Sequence, residues 1–129
     1  MTQHDLSTPA GARGWLSGEH EAQLGYATGH GPRHLVVRYA MCAGRLVFRL
    51  PEYSSALGYT PDQPVTMEVP VRDERGVSSG HLLVSGTATL VSGADRADAD
   101  SLLDETWPDG VVTRVLSMPA TEVELVPAG

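Results

Sequence analysis

The chain has 129 residues, of which 41% are hydrophobic and only 5% aromatic, and its formal net charge is −7. That length supports one domain with a core built mostly from valine, leucine and alanine. An acidic chain without a basic run is poorly suited to nucleic-acid phosphates, and no apolar run approaches the ~20 residues that span a bilayer.

All nine basic residues are arginine, and lysine, isoleucine and asparagine are absent, a usage that points to a GC-rich bacterial genome. The single Cys42 excludes an internal disulfide. It fits a reducing, cytoplasmic compartment. Residues 1–12 lack the basic start and apolar centre of a signal peptide. They are polar or small and are expected to be a flexible N-terminus, with residues 13–129 forming the single domain.

A short helix is expected at 15–22, weakened by Gly18. Residues 24–28 alternate as a first strand, with Leu24, Tyr26 and Thr28 on one side. Gly29-His30-Gly31-Pro32 is turn material. Residues 35–41 read as a second strand. Ala43-Gly44 permits a hairpin into 45–50, the clearest strand of the chain. There Leu46, Phe48 and Leu50 face a core, while Arg45, Val47 and Arg49 form a cationic face.

Pro51 ends that strand because it has no N–H to give the ladder. A helical turn or two is expected at 53–59, a strand at 65–69 and a charged loop at 72–76. Residues 80–91 are long for a strand, and Gly86 inside them marks a bulge or the sharp bend of a barrel corner. The one good helix is expected at 95–107. Asp95, Asp98 and Asp100 occupy its first turns, where the helix dipole favours them. Its apolar stripe is Ala99, Leu102, Leu103 and Trp107. Residues 111–118 and 121–126 are a final strand or pair. The expected fold is mainly β: an antiparallel barrel of six to seven strands with one or two peripheral helices.

Chemistry-bearing motifs are few. His30 and His34 have the spacing of a helical metal pair, but Gly31-Pro32 prevents a helix, and zinc needs more ligands. No metal site is expected. Gly76-Val77-Ser78-Ser79-Gly80 matches the nucleophile-elbow pattern without its strand–turn–helix setting, so it is read as chance. Asp98, Asp100, Asp104 and Glu105 read as a solvated acidic helix face. Cys42 reads as a small core or hairpin residue, and Trp107 as a core anchor. No residue of the sequence stands out as a catalytic acid or base.

Three patches carry a resemblance to a known family. Arg33-His34-Leu35-Val36-Val37-Arg38 is a basic residue, an intervening position, three aliphatics and a second basic residue. Leu46-Val47-Phe48-Arg49-Leu50-Pro51-Glu52-Tyr53-Ser54-Ser55-Ala56 is a strand with its exit turn. His81-Leu82-Leu83-Val84-Ser85-Gly86-Thr87-Ala88 is a polar residue, aliphatics, then glycine before small and β-branched residues. The pattern resembles the flavin-binding split β-barrel proteins related to pyridoxamine 5'-phosphate oxidase, over roughly residues 24–126.

The resemblance implies that Arg33 and Arg38 hold the phosphate end of FMN. Ser54 would donate to the phosphate, and His81 would stand at the flavin where the oxidase has glutamine. It also implies a homodimer with the cofactor at the subunit interface, acting in redox on an unidentified small molecule. Two departures stand out. Ala56 occupies the place of a phosphate-binding lysine, and the oxidase's substrate-binding C-terminal segment is not recognisable. Arg49 is the candidate substitute cation. Relatives of this kind use FMN, a deazaflavin or haem, or no cofactor at all. The alternatives are therefore a cofactor-less binding or accessory protein, and a haem- or deazaflavin-binding one.

The residues also have plainer readings. Arg33 and Arg38, five apart on a strand, lie on opposite faces and converge only if Arg33 sits in the preceding turn. They otherwise read as solvated arginines. Ser54 otherwise caps a helix, Arg49 is a surface arginine, and His81 is a half-exposed strand residue. On the flavin reading, Arg38→Ala weakens FMN binding and Ala56→Lys strengthens it.

Overall fold

An apolar residue at every second position gives a strand one buried side, and closing the sheet on itself gathers those sides into one core. The computed structural model describes residues 6, 8–103 and 105–127. Among them, helix α1 (Pro9–Gly18) precedes strands β1 (Glu21–Thr28), β2 (Gly31–Cys42) and β3 (Arg45–Pro51). A 3₁₀ turn (Ser55–Gly58) leads to β4 (Gln63–Arg72) and β5 (Ser78–Leu90). Helix α2 (Gly93–Leu102) is followed by β6 (Thr113–Pro119) and β7 (Glu122–Pro127).

The strands run in the order β4-β1-β2-β3-β6-β5, every pairing is antiparallel, and β4–β5 pairing closes a six-stranded barrel. β7 adds a seventh strand along β5. In β4, buried Val65, Met67, Val69 and Val71 alternate with half-buried Thr66, Glu68 and Pro70. They meet Leu24, Val37, Phe48, Leu82, Val84, Leu116 and Met118 in the barrel interior. The expected mainly-β barrel is the observed one, with two α-helices.

Gly86 sits where β5 changes partner. Residues 80–85 pair with β7, whereas Thr89 and Leu90 pair with β6. A Cβ at Gly86 would lie 3.2 Å from the Pro119 ring, so the glycine lets β5 approach the β6–β7 connection closely.

Both helices depart from their expected bounds. The first starts at Pro9, not residue 15, because Thr8 caps it: Gly11 N–H donates to Thr8 Oγ1 at 3.0 Å. Proline is favourable in a first turn. Ala12 and Leu16 are buried, Trp15 Nε1 donates to Pro70 O at 3.0 Å, and Tyr39 Oη donates to Leu16 O at 2.7 Å. Burial, with a smaller contribution from Glu19, pushes the Tyr39 phenol upward. Ala22, expected at the end of that helix, belongs to β1. Residues 1–5 and 7 lie outside the described residues.

The second helix ends at Leu102. Leu103 leaves the helical conformation (ψ 113°) and turns into a small cluster with Val47, Ala99 and Val115. Leu102 itself is half exposed, and Trp107 lies beyond the helix, in the link to β6.

α2 thereby covers the outer side of β3 and β6, which the alternation predicted to be a cationic face. Val47 is buried there, and Arg45 Nε donates to Ser117 Oγ at 3.0 Å. Arg49 pairs with Asp100 of α2.

The β2–β3 hairpin turns on Ala43 (φ 52°) and Gly44 (φ 78°), with Cys42 paired to Arg45. Two positive φ values suit the right-handed twist of a two-residue hairpin, but a Cβ in that region costs about 1–2 kcal/mol. Ala43 is exposed. Ala43→Asn is expected to raise stability by about 0.5–1 kcal/mol, read as a higher denaturant midpoint at unchanged slope. No helix among the described residues is long and apolar enough to cross a membrane.

Candidate functional site

Alternation along β2 sends Val36 and Arg38 outward and Leu35 and Val37 toward the interior. Arg33 has the parity of Leu35 and Val37 and stands opposite Tyr26 of β1. β2 already begins at Gly31, so Arg33 is in the strand and not in the turn before it. The two arginines therefore face opposite ways and do not converge.

Arg38 instead meets residues from two later parts of the chain. β3 leaves the barrel at Pro51 and turns through Tyr53, Ser54 and Ser55. The α2–β6 link returns past the same place with Glu105 and Trp107. Together with Val36, Arg38 and Arg49 they line a cavity of about 470 Å³. That size lies within the ~300–1,000 Å³ of small-molecule pockets. Three of the five expected site residues (Arg38, Arg49 and Ser54) share it, and Arg33 is not in its wall.

Its charges are partly committed. Arg49 is 12% exposed, and its Nη2 and Nε lie 2.7 and 3.2 Å from Asp100 Oδ1. Arg96 Nε approaches the other oxygen of Asp100 at 3.6 Å. Arg49 thus reaches the cavity with a carboxylate attached, a weaker attractor for an anion than a lone guanidinium. Glu105 adds a carboxylate to the wall.

Ser54 has both of its anticipated roles available. Its Oγ accepts from Ala56 N–H at 3.3 Å and caps the 3₁₀ turn, which leaves the hydroxyl proton for a ligand in the cavity. Ala56 faces the other way. It is fully buried in the barrel core, so a side chain there points away from the cavity wall. The expectation that Ala56→Lys would restore a phosphate cation is corrected on that ground.

His81, on β5 opposite Pro70, lies outside this cavity. It lines a shallow groove of about 350 Å³ with Gln23, Val36, Glu68 and Pro70. Val36 borders both hollows, so groove and cavity adjoin along β2.

Two cavity residues had a different sequence reading. The sequence puts Glu105, with Asp104, on a solvated helix face and Trp107 in the core; Asp104 lies outside the described residues. Glu105 and Trp107 both lie in the link after α2, and Trp107 Nε1 is buried with no hydrogen-bond partner. The sequence did carry one signal: a tryptophan directly before Pro108-Asp109-Gly110 stands in turn-forming sequence.

The remaining motifs stay apart from the cavity. His30 lies in the β1–β2 turn, and His34 stands opposite Gly25 on the barrel's outside. No group of three metal-ligating side chains occurs among the described residues. In the elbow-like segment, Asp73 Oδ1 accepts from Arg75 and Val77 N–H at 2.8 and 3.0 Å, and Ser78 to Gly80 enter β5. That is a strand entry rather than a nucleophile turn.

No protein-family model and no curated protein matches the sequence. Solved structures match the fold closely. An FAD-binding protein from Mycobacterium smegmatis superimposes with a TM-score of 0.78 at 15% identity, over 95% of this chain and 98% of that one. An FAD-binding protein from Mesorhizobium loti gives 0.76 at 15% identity, over 95% and 96%. A protein from Corynebacterium glutamicum, provisionally named a pyridoxamine 5'-phosphate oxidase, gives 0.69 at 17% identity, over 90% and 91%. At such identities the likeness is one of fold, and the fold of this chain is the split β-barrel shared by FAD-binding and pyridoxamine 5'-phosphate oxidase-like proteins.

Proposed function

We propose that the chain binds a flavin nucleotide, FMN in the first instance, and serves redox chemistry on a small molecule in the cytoplasm. The observation that carries this reading is that the Arg38 guanidinium and the Ser54 hydroxyl, from two separate parts of the chain, line one cavity. Such a set suits an anionic, oxygen-rich tail. Arg38 would hold the phosphate end as a planar fork, with Ser54 donating beside it. The adjoining groove offers Val36 as apolar surface and His81 as a polar contact for the remainder.

The bound flavin supplies the hydride chemistry, and the chain supplies binding and orientation. None of the cavity residues stands out as an acid or base for a substrate. Asp100 on Arg49 and Glu105 in the cavity wall moderate the attraction for phosphate, which is the feature that an accessory protein without cofactor would share. A second copy of the chain would complete the site. Val36 (62% exposed) and Tyr53 (76% exposed) flank the cavity as large apolar side chains open to water.

Titration of the purified protein with FMN, FAD and riboflavin tests the reading. FMN is expected to quench on binding and to bind at least tenfold more tightly than riboflavin, which lacks the phosphate. Sedimentation of the same sample is expected to show a dimer. A colourless protein that takes up neither flavin nucleotide sinks the flavin reading, and a Soret band after haem addition would replace it.

A further inference from the structure

The chain has two tryptophans, and their indole N–H groups are in opposite situations. Trp15 Nε1 donates to Pro70 O at 3.0 Å and pins α1 to β4. Trp107 Nε1 is shielded from water, yet no protein acceptor reaches it. Buried donors are nearly always bonded, so an orphan in a cavity wall asks for a partner from outside the chain.

The link that carries Trp107 is fastened at both ends. Leu103 N–H donates to Ala99 O at 3.0 Å, and the Leu103 side chain is buried with Val47 and Val115. At the other end Val111 N–H donates to Pro108 O at 3.2 Å, and Glu52 N–H donates to Val112 O at 2.9 Å. The last of these ties the link to the exit of β3, beside Ser54. Both ends of the link are therefore tied to the fold, with Trp107 between them in the cavity wall.

We propose that Trp107 is a ligand-binding residue, its Nε1–H donating to an oxygen of the polyol-phosphate tail of the bound nucleotide. The proposal rests on the flavin reading and specifies which part of the ligand the α2–β6 link recognises. An indole N–H is a donor only, so the group it meets must be an acceptor. The Glu105 carboxylate lies in the same wall and accepts only. A sugar- or polyol-phosphate presents both complements at once: hydroxyl donors for the carboxylate, and phosphate or ether oxygens for the indole.

The test compares wild type with Trp107→Phe, which keeps an aromatic ring and removes the N–H. FMN affinity of the variant, read by quenching of flavin fluorescence, is expected to fall tenfold or more. Its thermal midpoint without ligand is expected to stay the same or rise, because the orphan donor is gone. In ¹⁵N-labelled wild-type protein, one of the two indole N–H resonances should move on FMN addition while that of Trp15 stays. Equal FMN affinity in both proteins, or a Trp107 resonance that does not move while FMN binds, overturns the proposal and leaves the flavin reading standing. A wild-type protein that binds no flavin overturns both. The resonance is read on wild type, so the result does not depend on how the variant folds.

Discussion

Ala56→Lys is expected to destabilise the protein by about 3–5 kcal/mol, a large share of the ~5–15 kcal/mol that holds a domain together. Ala56 is fully buried in the 3₁₀ turn after β3. Its N–H donates to Ser54 Oγ at 3.3 Å, and its carbonyl accepts from Tyr59 N–H at 3.0 Å and Thr60 Oγ1 at 2.9 Å. A lysine there forces three more methylenes and an ammonium into a packed core without a counter-ion, so overpacking and desolvation add. Ser55 gives the contrasting result. It is exposed and lines the cavity. Ser55→Lys should leave the unfolding free energy within about 0.5 kcal/mol of wild type and tighten FMN binding. A folded Ala56→Lys protein with improved FMN affinity would show that the turn rearranges, and would refute this placement of the residue.

Ala56 illustrates what the sequence could and could not say. Strands were legible wherever one face is buried, because a two-residue period is written locally: Val65, Met67 and Val69, or Leu46, Phe48 and Leu50. The one irregularity in the β4–β5 register lies at Val71 and Arg72 instead of at Gly86, where the glycine marks the change of partner strand. Helix ends were not legible. α1 begins where Thr8 and Pro9 set its cap, inside a stretch whose composition suggested a frayed terminus. α2 ends where Leu103 finds Val47, fifty-six positions earlier in the chain. The site divides along the same line. Arg38 and Ser54 lie near each other in sequence and carry the motif. Arg49's counter-ion is fifty-one positions away in α2, and Trp107 arrives on a link whose course depends on that helix. A residue's parity within one strand is readable from sequence. The element that comes to cover it depends on the tertiary fold.

Arg38→Ala is expected to weaken FMN binding by about 10–100-fold, the ~1.5–3 kcal/mol typical of a hydrogen bond to a charged group. Arg38 is exposed on the barrel's outer side at the cavity, so its truncation leaves the barrel core intact. Arg33→Ala, on the opposite face of β2, is expected to change FMN affinity by no more than about twofold. Arg38→Lys should recover only part of the loss, since it keeps the charge and removes the fork. Riboflavin carries no phosphate, so its affinity should be the same in wild type and Arg38→Ala. The FMN penalty should also shrink as salt rises from low to physiological strength. The comparison of the two arginines is decisive because the chain's formal net charge is −7. An acidic protein repels a phosphate at long range, so removing any arginine increases that repulsion slightly and uniformly. Equal losses at Arg33 and Arg38 would mean that only this diffuse field had been altered. A large loss at Arg38 alone requires a guanidinium in contact with the phosphate.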